Sequence, residues 1–261
     1  MRDRKYIQSL ERGLKILEIF GEYSRPLSLT EIAQLTGLNK TTTQRFLHTL
    51  HRLGYLKRDE NKEYFCGPRV LSLGVSYVNN SNLVRIAKPY LDDLSSSLGK
   101  TVNMAVLDRA DIIFLYRREV RRFLKFDLYP GARLPSHCTA QGKMLLAGLD
   151  DDTLRERINE MELTQLTPMT ITSKELLWKE IMKTRKRGHS ISDRELSMDL
   201  ITLGVPLVDG RGKVVAAINI SLEAKDSGIS SIRDMVSRLK EEGEAISKAI
   251  GYRGRYASFT V

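Results

Sequence analysis

Cysteine is nearly absent from this sequence: there are two in 261 residues, Cys66 and Cys138, far apart and in no metal-ligand spacing. That scarcity excludes a disulfide framework and a zinc-finger lattice. No apolar run approaches the ~18 to 20 residues that a membrane span requires. The first residues, Met1-Arg-Asp-Arg-Lys-Tyr6, lack the apolar core of a secretory signal. A cytoplasmic protein without a membrane partner is therefore expected. There is also no nucleophile elbow, phosphate-binding glycine loop or metal-ligand cluster, so no catalytic residue, metal or cofactor is expected. With 41% hydrophobic and 28% charged residues, the chain has the profile of a folded globular protein, long enough for two modest domains.

Acids are outnumbered as well. Lysine and arginine total 42 against 32 aspartates and glutamates, a net charge of +10. Residues 1–75 hold 13 basic and 8 acidic side chains, and the other 186 hold 29 and 24. The same excess is thus more than twice as dense in the first third. That end is the better match for a polyanion, although basic surfaces also simply aid solubility.

Over residues 7–20 the apolar positions recur at helical intervals. At about 100° per residue, Ile7, Leu10, Leu14 and Leu17 gather on one face, while Ile16, Ile19 and Phe20 form a second. A helix apolar on two sides needs two covers. Either its own domain supplies both, or one comes from a second copy of the chain.

Next, Ser28 and Glu31 have capping-box spacing, with Leu27 able to staple onto Ile32. A helix is predicted over 29–36, stopped by Gly37. Asn39 can cap a second helix over 40–53. Two short helices joined by a tight, glycine-containing turn form a helix-turn-helix. Thr43, Phe46, Leu47 and Leu50 make the buried face of the second helix. Thr41, Gln44, Arg45 and His48 lie opposite, without a single carboxylate. A solvated face usually mixes both charge signs. One that meets phosphates and base edges excludes acids, and Gln and Arg pair bidentately with adenine and guanine. Lys40, Thr41, Thr42, Gln44, Arg45 and His48 are the candidate groove residues, with Ser28, Thr30 and Asn39 at the two helix starts. Residues 55–57 and 63–65 read as a hairpin, a wing whose Lys57, Arg58 and Lys62 can touch backbone phosphate.

Three runs, Tyr6-Ile-Gln-Ser-Leu-Glu-Arg-Gly-Leu-Lys-Ile-Leu17, Leu29-Thr-Glu-Ile-Ala-Gln-Leu-Thr-Gly-Leu38 and Arg45-Phe-Leu-His-Thr-Leu-His-Arg-Leu-Gly-Tyr-Leu56, resemble the IclR family of bacterial transcriptional regulators. The likeness is greatest to members governing aromatic-acid catabolism, the PcaU/PobR type. It extends over Gly131-Ala-Arg-Leu-Pro-Ser-His-Cys-Thr-Ala-Gln-Gly-Lys-Met-Leu-Leu-Ala147, and so over nearly the whole chain. The domain division expected is a winged helix-turn-helix over 1–67, a linker helix over 68–80 and an effector-binding domain over 81–261.

Beyond the linker the pattern predicts a helix over 83–98 and strands over 101–107, 111–116 and 124–128. Helices over 136–149, 150–161 and 175–187 follow, then strands over 189–191, 201–208 and 213–222. A last helix over 229–250 carries Ile229, Ile232, Val236, Leu239 and Ile246 on one stripe. An antiparallel sheet flanked by helices makes this an α+β domain. The resemblance implies a GAF-like sheet with a small-molecule cavity on one side.

Two places look chemical. Ser136 or Thr139 near a helix start, with unpaired backbone N–H groups, can hold a carboxylate. His137 and Cys138 are neighbours whose side chains diverge, which suits a buried thiol or pocket wall better than a nucleophile–base dyad. Ala140 and Gln141 continue the same motif. On the strand over 213–222, Ala217, Asn219 and Ser221 share a face that grows polar along its length. Two readings are open, a strand end entering solvent or a cavity lining. The resemblance favours the cavity, with Asn219 and Ser221 as contacts, and implies Asp193, Glu195 and Thr202 in the enclosing loop and strand. Many members carry glycine where this chain has Asp199.

The resemblance thus implies a homodimer, commonly paired into a tetramer, that binds double-stranded, palindromic operator DNA and senses a small organic acid. A repressor and an activator are equally open. Two other readings remain: an enzyme acting on a small carboxylate with a DNA-binding appendage, and a constitutive DNA-binding protein.

Overall fold

The computed structural model describes residues 5–23, 25–121, 128–226 and 229–256. The chain divides into two compact units, Met1–Asn80 and Ser81–Val261.

In the first unit, α1 (Gln8–Ile19), α2 (Leu29–Thr36) and α3 (Lys40–Arg52) precede a hairpin of β1 (Leu56–Arg58) and β2 (Tyr64–Cys66). The local signals act as physical chemistry requires. Ser28 Oγ accepts from the Glu31 N–H, and Glu31 accepts from the Ser28 N–H at 2.8 Å, closing the capping box. Gly37 ends α2 at φ 67°, and Asn39 caps α3 by accepting from the Thr42 N–H at 2.8 Å. Ile16, Phe20, Leu27, Ile32, Leu47, Leu56 and Tyr64 form the core. Leu27 also pairs with Tyr64 through two backbone hydrogen bonds, tying α2 to the wing. Both wing strands lie one residue later than the pattern predicts. Helix α4 (Arg69–Asn80) completes the unit and buries none of its residues within it.

The second unit opens with α5 (Asn82–Leu98), capped by Ser81 and stopped by Gly99 at φ 59°. Then come β3 (Thr101–Asp108), β4 (Asp111–Arg118), β5 (Arg133–Pro135), α6 (Ala140–Ala147), α7 (Asp151–Glu160) and α8 (Lys174–Arg187). Strands β6 (Ser190–Asp193), β7 (Leu200–Val208) and β8 (Val214–Glu223) precede α9 (Ile229–Ala249). The six strands form one antiparallel sheet in the order β5-β4-β3-β8-β7-β6. Its two faces are covered by different helices. A Cβ on Gly204 would lie 3.0 Å from the backbone of Ala140 in α6, whereas Val205 packs against Gly243 in α9. Leu239 and Ile246 of α9 are fully buried, as their stripe predicts, while the side chain of Ile229 lies outside the described residues.

Two local expectations need correction. The helix predicted over 136–149 is broken: Ser136–Cys138 form one 3-10 turn, Thr139 is extended at φ −119°, and α6 starts only at Ala140. The break has a steric cause, because α6 doubles back onto that turn. A Cβ on Gly142 would stand 2.1 Å from the Ser136 carbonyl oxygen. Of the strand predicted over 124–128, residues 124–127 lie outside the described residues. The segment that does pair with β4 is β5, too short to carry an alternating pattern.

Candidate nucleic-acid interface and ligand cavity

Helix α3 is amphipathic in the sense the sequence predicts. Thr43 and Leu47 are fully buried, while Lys40, Thr41, Gln44, Arg45 and His48 are exposed and Thr42 is half-buried. The exposed face carries no acid, so nothing on it repels phosphate. Ser28 and Asn39 spend their side-chain oxygens on caps, and Thr30 is exposed in the first turn of α2. Arg25 further steadies the start of α2. Its guanidinium, followed by the Ser28 N–H and hydroxyl, holds the Glu31 carboxyl down to about 2. At the wing, Lys57, Arg58 and Lys62 are all exposed. Arg58 folds over the Tyr64 ring at 5.3 Å and donates to the Lys62 carbonyl, while Lys62 takes a left-handed φ of 65° at the tip.

Helix α1 carries both apolar faces. Ile16 and Phe20 enter the core, whereas Ile7, Leu10 and Leu14 stand 62%, 59% and 51% exposed. Leu17 packs against the core rather than joining the exposed stripe.

The second unit holds a narrow cavity of about 30 Å³ between α6 and the sheet face bearing Gly204. Thr139, Gln141, Thr202, Asn219 and Ser221, all singled out from the sequence, border it. The rest of the wall is Asn103, Arg117 and the apolar Phe114, Leu128, Leu134, Leu196 and Leu200. Two cross-strand rows create the polar end. Arg117, Asn103, Asn219 and Gly204 are register partners across four strands, as are Thr101, Ser221, Thr202 and Ser192 one pleat along. Arg117 donates to Asn103 Oδ1 at 2.7 Å, and Asn103 donates to Asn219 Oδ1 at 2.7 Å. The Arg117 side chain, 10% exposed, also pairs with Glu119.

The start of α6 adds donors. Thr139 Oγ1 accepts from the Gly142 N–H, and the N–H groups of Ala140 and Gln141 have no intrahelical acceptor in the first turn. Gln141 is 1% exposed, and its Nε2 has no hydrogen-bond partner. A buried donor left unpaired is costly unless something else takes its proton.

The other residues of the candidate set do not border the cavity. Ser136 Oγ donates to the Ala110 carbonyl at 2.6 Å, and His137 donates through Nε2 to the Thr164 carbonyl at 3.1 Å. Cys138 is fully buried, its thiol pushed up to about 12 by burial, so it is protonated and a poor nucleophile. The Ala140 carbonyl accepts from Ser190 at 2.6 Å. Asp193 pairs with its neighbour Arg194 at 2.8 Å. Glu195 is buried against Lys143 and raised above the ordinary carboxyl value by that burial. Asp199 keeps a negative φ, so the missing glycine does not strain the loop; the left-handed residue is Arg194 at φ 58°. Asn103 and Arg117 escaped the sequence reading. Their strands alternate, but only the register with β8 aligns them with Asn219.

No helix among the described residues is long and apolar enough to cross a membrane. Residues 75–248 match the family described as the bacterial transcriptional regulator IclR C-terminal domain, and residues 9–60 match the IclR helix-turn-helix domain. The Pca regulon regulatory protein of Pseudomonas putida is 38% identical over 220 residues, covering 84% of this chain and 75% of that one. A transcriptional regulator from Rhodococcus sp. RHA1 superposes with a TM-score of 0.76 at 33% identity, covering 94% of this chain and 98% of that one. An IclR homologue from Microbacterium hydrocarbonoxydans, crystallised with 4-hydroxybenzoate, shares the fold at a TM-score of 0.75 and 21% identity, covering 93% and 98%. With a matched helix-turn-helix, a matched C-terminal domain and relatives along nearly its full length, this chain belongs to the IclR family of DNA-binding transcriptional regulators.

Proposed function

We propose that this regulator binds a palindromic operator as a homodimer and changes its operator affinity when a small organic acid, aromatic in kind, enters the cavity. In this reading the chain catalyses nothing. Lys40, Thr41, Thr42, Gln44, Arg45 and His48 meet the major groove, and Thr30, Lys57, Arg58 and Lys62 hold the flanking phosphates. Ser28 and Asn39 act through the caps that set the two helices. The exposed Ile7–Leu10–Leu14 stripe is the surface a second copy covers, since two half-sites need a two-fold protein. Two such dimers then associate through their C-terminal units.

The observation that carries the ligand assignment is the unpaired, buried Gln141 Nε2 at the wall of the cavity. It lies beside the free N–H groups at the start of α6, where the helix dipole favours an anion. Arg117, paired with Glu119, offers donors at the polar end, and the leucines with Phe114 would flank a ring once the cavity widens to admit it. The named relatives point the same way, one by its Pca regulon and the other by its bound 4-hydroxybenzoate. Occupancy can shift operator affinity only by the ligand's differential affinity for two arrangements of the protein.

Calorimetry with 4-hydroxybenzoate and its uncharged amide tests this. The acid is expected to bind at least tenfold more tightly than the amide, with the advantage shrinking in Gln141→Leu. Equal affinity for both would remove the carboxylate reading. Turnover of the acid would favour the enzyme reading instead.

A further inference from the structure

Lys143 lies two residues beyond Gln141, about 200° round the helix, and so points away from the cavity. It is 1% exposed, donates to the Ile191 carbonyl at 3.1 Å and pairs with Glu195, itself 6% exposed. The second carboxylate oxygen of Glu195 is buried without a partner. A pair of charges withdrawn from water contributes little to stability that apolar side chains could not match, and in some proteins its use is to favour one arrangement over others.

The pair is joined to the segment 194–200 through Glu195. Arg194 turns the chain in the left-handed region and donates its N–H to the Leu200 carbonyl at 3.0 Å. Thr167 and Thr170 donate to the carbonyls of Arg194 and Glu195 at 2.7 and 2.6 Å. The two residues this segment contributes to the cavity are Leu196 and Leu200. The start of α6 therefore supplies Thr139 and Gln141 to the cavity, while Lys143 on another face of the same helix pairs with the segment that supplies Leu196 and Leu200.

We propose that the Lys143–Glu195 pair is a latch holding segment 194–200 as the apolar wall of the cavity, which makes Lys143 and Glu195 positioning residues for ligand recognition without themselves touching the ligand. The importance of that wall for an effector rests on the function proposed above; the latch itself does not.

Hydrogen exchange on the full-length chain tests the latch without any ligand. Glu195→Gln keeps the shape of the side chain and removes its charge. Exchange at the amides of Arg194 and Leu200 should rise about tenfold while those of residues 202–208 in β7 and of β8 stay protected. In the apolar pair Lys143→Met/Glu195→Leu the melting temperature should recover and the fast exchange of 194–200 should persist. The latch is refuted if Arg194 and Leu200 stay protected in either variant, or if exchange rises equally across residues 202–208 and β8. Titration with 4-hydroxybenzoate is the separate arm. Glu195→Gln should weaken its binding about tenfold, whereas wild-type protein that ignores 4-hydroxybenzoate would strike at the ligand assignment and leave the exchange result to decide the latch.

Discussion

Arg45 and Lys57 carry the same charge and are both exposed, yet their positions assign them different work. In the proposed reading Arg45, on the acid-free face of α3, meets a base edge, and Lys57, on a wing strand, meets the backbone. Arg45→Ala should cost about 1–3 kcal/mol on operator and much less on scrambled duplex, while Lys57→Ala should weaken both alike and lower the salt slope by about 1. Salt titrations on the two duplexes measure this, and an equal loss for Arg45→Ala would refute base reading. The histidines make a second residue-scale case. Burial holds the imidazoles of both His137 and His189 below the ordinary 6.5. As pH falls below that value the unfolded chain protonates first, so stability present above about pH 6.5 is lost on the way to the lower native values. The melting temperature of the double variant His137→Gln/His189→Gln should fall less between about pH 7 and 5 than that of the wild type. Parallel curves for the two proteins would disprove the assignment.

Among the elements, α6 shows how a short helix can be placed by a residue with no side chain. Its turn-break-helix start exists because Gly142 lets the backbone pass against Ser136. Gly142→Ala inserts a methyl group into that backbone contact, an overpacking that costs about 1–3 kcal/mol or more. A melting temperature unchanged from wild type would mean the approach is not tight. The same element explains a limit of sequence reading. Ser136 through Ala147 is compatible with one continuous helix by propensity, and only tertiary contact breaks it at Thr139. By contrast, α2 and α3 were legible nearly to the residue, because Ser28, Glu31, Gly37 and Asn39 are local stop and start signals that need no distant partner.

For the whole molecule, the proposed dimer rests on the two faces of α1. One supplies Ile16 and Phe20 to the core, and the other leaves Ile7, Leu10 and Leu14 to solvent. Replacing Leu10 and Leu14 by glutamate should leave the fold of the first unit intact, because neither side chain enters its core. If the proposed dimer forms, sedimentation should find the wild type dimeric and the variant monomeric at the same concentration, and only the wild type should prefer a full palindrome over a half-site. A variant that stays dimeric and keeps that preference would place the dimer contact elsewhere.

The sequence alone determined the helix-turn-helix, its acid-free face, the antiparallel α+β second unit and the polar end of β8, because caps, glycine stops and two- or 3.6-residue periods are local. It did not determine which polar residues meet. Asn103 and Arg117 join Asn219 through strand register, Lys143 joins Glu195 across 52 positions of chain, and Gln141 is buried in the cavity wall with its Nε2 unpaired. Pairings of that kind depend on long-range packing, which no local pattern encodes, and so the tertiary structure decided the cavity.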